Sequence, residues 1–171
     1  MKLLMESWRG YLSEIGGATL EPYSFSQGYS SPDNVTYNFN SASGTRVRVI
    51  FERAQDGPWM IDFMAEVKAD GKNPFGGMFT KGLTGSGEPL KVMSTIVAII
   101  KKFIKSDKSR DEKRFMFFGI GKGVTKKGVQ STRTKLYLKF LKKNMPPGTI
   151  VTQGKEINSI YFTLPSGDTK E

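Results

Sequence analysis

Three short segments in which every second residue is apolar constrain this chain more than any other feature of its sequence. NVTYNFN (34–40) sets Val35, Tyr37 and Phe39 against polar neighbours. TRVRVIFER (45–53) sets Val47, Val49 and Phe51 on one side and Arg46, Arg48 and Ile50 on the other. WMIDFMAEVK (59–68) follows after the turn AQDGP, as the second segment followed SASG. A period of two fits a strand with one buried face, and short Gly- and Pro-containing breaks fit hairpin turns. The three segments therefore predict an antiparallel meander. In the third, Asp62 and Glu66 share parity with Met60 and Met64, so all four lie on one face of that strand.

The rest of the chain switches to helical spacing twice. Residues 88–105 carry Met93, Ile96, Val97, Ile100, Phe103 and Ile104 as an apolar stripe, with Pro89 where a first-turn proline is tolerated. Residues 131–144 carry Leu136, Tyr137, Phe140 and Leu141 inward and Lys135, Lys139, Lys142 and Lys143 outward, and MPPG stops this helix. Between them RFMFFGIG is a continuous apolar run, which predicts a central strand buried on both faces. TIVTQG and SIYFTLP predict two closing strands. At the other end, Leu4, Trp8, Leu12 and Ile15 predict a short amphipathic helix within residues 1–15, ended by Gly16 and Gly17. Residues 16–33 read as a linker or ordered loop and 165–171 as a polar tail. The order α-β-β-β-α-β-α-β-β predicts one α/β domain with a mixed sheet, a meander followed by β-α-β-α-β-β.

Composition removes whole classes of chemistry. The chain has no cysteine and no histidine. Disulfides, thiolate catalysis, a Ser-His-Asp triad and His- or Cys-based metal sites are excluded. No run of about 18 apolar residues suggests a membrane span, and the polar N-terminus does not fit a secretory signal. The chain is therefore expected to be neither secreted nor in a membrane.

The formal net charge is +10 and sits in one block. Residues 101–143 hold 15 Lys/Arg and 3 Asp/Glu, whereas the remainder holds 11 and 13. Such a block points to an anionic partner, nucleic acid among them. The candidate contacts are Lys101, Lys102, Lys105, Lys122, Lys126, Lys127, Arg133, Lys135, Lys139, Lys142 and Lys143. The plainer reading is a solvated helix face and a Lys-rich loop.

GLTGSGEPL (82–90) raises a second question. Glycines ahead of a helix let backbone N–H groups approach a phosphate, and the helix dipole assists. Gly82, Gly85, Ser86 and Gly87 would form that cradle. Glu88 opposes a bound anion and Pro89 removes a donor, so a simple strand-to-helix bend is the competing reading.

The element order from residue 34 to 164 resembles the GNAT acyltransferase fold. That family carries Q/R-x-x-G-x-G/A and then a Leu between its fourth strand and central helix. Gly85, Gly87 and Leu90 match, and Gly82 stands at the Q/R position. Its later N-x-x-A-x-x-L-Y pattern is matched only by Leu136 and Tyr137. The resemblance implies acetyl-coenzyme A at the glycine loop, Tyr137 as the acid for the leaving thiolate, and Asp62 or Glu66 as base.

TGSGEPLKVMSTIVAIIKKFIK and STRTKLYLKFLKK are also similar to segments of proteins of large tailed phages. MESWRGYLSE resembles a leader cut after Glu, here Glu14. Together these imply a phage-encoded, GNAT-like protein without catalysis or cofactor, a basic or virion-internal protein contacting DNA or another anionic partner, located in the phage virion interior or the host cytoplasm. An acyl-coenzyme A-dependent N-acyltransferase and an inhibitor of a host protein are the alternatives.

Overall fold

The computed structural model describes residues 21–53, 55–67, 77–79, 89–118, 132–154 and 159–166. Within them the chain forms strands β1 (Phe25–Ser30), β2 (Asn34–Asn40), β3 (Arg46–Arg53), β4 (Trp59–Val67) and β5 (Gly77–Phe79). Helix α1 (Pro89–Ile104), a 3-10 turn (Asp107–Ser109), β6 (Arg114–Phe118), α2 (Thr132–Asn144), β7 (Ile150–Gln153) and β8 (Ser159–Thr163) follow. The architecture is α+β, with one mixed sheet ordered β1-β2-β3-β4-β6-β8-β7 and β5 added to β4. The pairings are antiparallel except β4 with β6.

Alternation builds the core directly. Register brings Val35, Phe51, Ile61, Phe117 and Ile160 into one row across five strands. A second row joins Trp59, Phe115, Phe162 and Val151. All of these side chains are buried. Phe103 of α1 stacks on Phe51 at 4.0 Å between ring centroids and meets Trp59 edge-on at 4.9 Å. Tyr137 of α2 meets Phe117 edge-on at 5.6 Å and Phe63 at 6.0 Å. Both helices therefore cover the same face of the sheet.

The expected helix stripes are present and, in α1, wider. Met93, Ile96, Val97, Ile100 and Phe103 are buried, Ile104 is half-buried, and Val92, Thr95 and Ile99 are buried as well. Thr95 explains part of the widening. Its Oγ1 accepts from the Tyr23 N–H at 2.9 Å and donates to the Lys91 carbonyl at 2.7 Å, so the incoming chain is held against the helix. Tyr137 and Leu141 are buried in α2, Phe140 is half-buried, and the Leu136 side chain lies outside the described residues.

Two expectations are corrected. The segment read as linker contains β1, which pairs with β2 from Phe25 opposite Phe39 to Ser30 opposite Val35. Its alternation is hidden because it is a mostly exposed edge strand with a register shift between Gln27 and Ser30. The central strand β6 is buried on one face only. Phe115 and Phe117 are buried, but Arg114 is exposed and Met116 half-buried, because α1 and α2 both lie on the phenylalanine side.

An ion pair anchors the start of β6. Glu112 is buried, and its Oε1 accepts from the backbone N–H of Arg114 at 2.8 Å and from Arg114 Nε at 2.9 Å. Its Oε2 accepts from Arg114 Nη2 at 2.7 Å. Hydrogen bonding from the Arg114 side chain, more than any other cause, holds the Glu112 carboxyl below its usual range. A carboxylate lowered in the folded state contributes stability above the ordinary Glu range, which is lost as pH falls through the lowered value. Urea denaturation between about pH 6 and about pH 3 should therefore weaken the wild type more than Glu112→Gln. Equal pH profiles for the two would show that the pair contributes nothing.

Candidate nucleic-acid interface

The helical layer carries the charge. The α1 sequence PLKVMSTIVAIIKKFI contains Lys91, Lys101 and Lys102, and α2, TRTKLYLKFLKKN, contains Arg133, Lys135, Lys139, Lys142 and Lys143. Neither helix contains an acidic residue. Each buries an apolar stripe on the sheet, and the lysines whose side chains are described lie off that stripe. Lys102, Lys105, Lys139, Lys142 and Lys143 are exposed, and Lys91 and Lys101 half-buried.

The helices also run in the same direction. Phe103, near the end of α1, reaches Trp59 and Phe115 at the amino ends of β4 and β6. Tyr137, early in α2, contacts Phe63 and Phe117 further along those strands. The chain then leaves α2 for Ile150, which pairs with Thr163 in the row of Arg114. The last turns of both helices thus lie toward one end of the sheet, bringing Lys101, Lys102 and Lys105 to the end that holds Lys142 and Lys143. Lysines there complement the helix dipole, which is a local structural reason for four of them. Lys139, a turn earlier, has no such reason.

Two acids that follow α1 are engaged locally. Asp107 pairs with Arg110 and Glu112 with Arg114. Lys108 donates to the Ser31 carbonyl, and the Lys102 ammonium lies 5.4 Å from the Phe25 ring centroid. Among the described side chains Lys102, Lys139, Lys142 and Lys143 are exposed on the two helices, and neither helix sequence places a carboxylate among them.

The catalytic candidates are not brought together. Tyr137 is 6% exposed and sits under α2 on the covered face. Asp62 and Glu66 lie on the opposite face, where Asp62 is half-buried and Glu66 exposed. Asp62 Oδ1 accepts from the Phe63 N–H at 2.8 Å. Burial among neighbouring side chains raises the Asp62 carboxyl, and that hydrogen bond only partly offsets it. A carboxyl raised in the folded state destabilises once ionised, so stability falls as pH rises through its raised value. Asp62→Asn keeps the acceptor and removes the charge. It should stabilise the fold at neutral pH by on the order of 0.5 kcal/mol. That gain should vanish below the ordinary Asp range, as read from urea midpoints at the two pH values.

The parallel pair opens, and the chain fills the gap. The β4–β6 pairing covers Trp59 to Ile61, and at Ala65 to Val67 the same edge of β4 is taken by β5. Ligands of α/β sheets usually bind beyond the carboxyl ends of such strands. The glycine-loop candidates Gly82, Gly85, Ser86 and Gly87 lie outside the described residues, as do Lys122, Lys126 and Lys127. Arg133 and Lys135 fall within α2, but their side chains are also outside. Among the described residues no group of His, Cys, Asp or Glu is placed to hold a metal ion, and no helix is long and apolar enough to cross a membrane. The charge block in the sequence marks the lysines, whereas the common face and direction of the helices that carry them come from the fold.

Comparison with known proteins finds no matching family model, no similar curated protein and no similar solved structure.

Proposed function

We propose that this chain is a GNAT-like, phage-encoded protein without acyltransferase activity, whose helical layer binds the phosphate backbone of nucleic acid. The observation that carries the binding is the pair of acid-free helices on one face of the sheet. Phosphate contact asks only for positive charge and gives sequence-independent binding. The GNAT-like part is supported by the meander of β2, β3 and β4 ahead of α1 and by β6, the parallel partner of β4, after it. The separation of Tyr137 from Asp62 and Glu66 by the thickness of the sheet favours the reading without acyl transfer. The phage origin rests on the likeness of the helix segments and of residues 5–14.

The test is binding to several unrelated DNA duplexes across a salt series. With about five phosphate contacts, affinity should fall roughly 10²–10³-fold between about 50 and about 200 mM salt, equally for every sequence. Absence of binding at the lowest salt overturns the proposal.

A further inference from the structure

Strand β1 forms one margin of the sheet, and among the described residues it pairs only with β2. Its regular pairing breaks between Gln27 and Ser30. There the Tyr29 N–H donates to the side chain of Thr36, at Oγ1, over 2.9 Å. Gly28 lies so close to β2 that a Cβ on it would meet Thr36 Oγ1 and Asn38 Nδ2 at 2.7 Å. A bulge of this kind re-aims a side chain beside it. Tyr29 is 65% exposed, whereas Tyr23, Phe25, Tyr37 and Phe39, the other rings of this segment and of β2, are half-buried or buried. The Tyr29 ring thus stands in solvent on a backbone that β2 fixes.

Positive charge runs along the same margin. Lys91 Nζ lies 4.6 Å from the Tyr23 ring centroid and Lys102 Nζ 5.4 Å from that of Phe25, and Lys108 donates to the Ser31 carbonyl. Tyr23, Phe25 and Ser31 span β1 from before its start to beyond its end. Among the described residues none of the three ammoniums pairs with a carboxylate. The chain from Pro22 to Pro32 carries no charge of its own, and the exposed Glu21 and Asp33 flank it. Anionic charge is therefore drawn to the stretch between Phe25 and Ser31, where Tyr29 stands.

Two kinds of polymer fit a free strand edge. An added peptide strand needs regularly spaced main-chain partners, and the break between Gln27 and Ser30 interrupts them. A single nucleic-acid strand needs positive charge for its phosphates and an aromatic face for a base, and both are present. A duplex keeps its bases stacked inside and offers none to a ring on a strand edge. We infer that Tyr29 is a stacking platform for an unpaired base, and that the lysines along β1 hold the phosphates of a single nucleic-acid strand. This rests on the proposed nucleic-acid binding and names the single-stranded form that is bound at β1.

The test compares an oligothymidine of about 15 nucleotides with a duplex of the same length, by fluorescence anisotropy with the full chain at low salt. Tyr29→Ala should weaken single-strand binding about 5- to 100-fold, the loss of one stacked base. Its salt slope and its duplex affinity should not change, because no charge is removed. Tyr29→Phe keeps the ring and should bind as the wild type does. An abasic oligonucleotide of the same length keeps the phosphates and lacks the bases, which gives a second measurement on the wild type alone. The wild type should bind it about as weakly as Tyr29→Ala binds oligothymidine. Equal affinity of the wild type for abasic and base-bearing strands overturns the inference. So does unchanged single-strand affinity in Tyr29→Ala, or an equal loss of duplex affinity in that variant. Either of the first two results with duplex binding intact leaves the proposed function standing. Absence of binding to every oligonucleotide overturns both.

Discussion

Phe103→Ala should destabilise the fold by about 3–5 kcal/mol, the cost of removing a fully buried aromatic side chain and leaving a cavity. Phe103 is 0% exposed, and its ring joins four elements. It stacks on Phe51 of β3 and meets Trp59 of β4 and Phe115 of β6 edge-on. Nothing in that row can relax inward without disturbing its partner, since Phe115 itself stacks on Phe162 at 4.8 Å. Domains of this size have a total stability of about 5–15 kcal/mol, so the variant should lie near the unfolding threshold. Urea denaturation followed by circular dichroism measures the loss. A cost near 1 kcal/mol would mean that α1 is not held on the sheet as described. Ile104→Ala, at the half-buried margin of the same helix, is the control and should cost clearly less.

Neutralising Lys139, Lys142 and Lys143 to Gln should weaken binding to unrelated DNA roughly 10²–10³-fold at about 0.1 M salt and lower the salt slope by about 3. All three side chains are exposed, so folding should be unaffected and the thermal midpoint nearly unchanged. The slope is the more telling readout, because it counts ion release rather than affinity. An unchanged slope would place the phosphate contacts somewhere other than α2. Lys139 matters most to the argument, because it has no helix-end role to explain it, and the single Lys139→Gln change should remove about one unit of slope.

How much of this was readable in advance differs element by element. Strands β2, β3 and β4 were legible because each alternates cleanly, and a period of two is a local property of seven to nine residues. The helices were legible for the same reason at a period of 3.6. Strand β1 was not, since FSQGYS presents one half-buried Phe and five exposed positions. An edge strand has little burial to record in its sequence. For β6, the run RFMFF fits one buried face or two equally well, and the choice depends on which side the helices take. The lysines of the candidate interface were visible as a charge block, but their union on one layer was not.

The sequence by itself determined the type and order of most elements, the absence of thiol and imidazole chemistry, and the concentration of positive charge in residues 101–143. The tertiary structure alone decided that both helices share a face, that Tyr137 and Asp62 stand on opposite sides of the sheet, and that β5 occupies the edge of β4 where β6 departs. The division has a physical cause. Periodicity and charge are local and say which side of a strand or helix is apolar. Which strand becomes a neighbour, and which layer covers a face, is set by contacts between residues far apart in the chain.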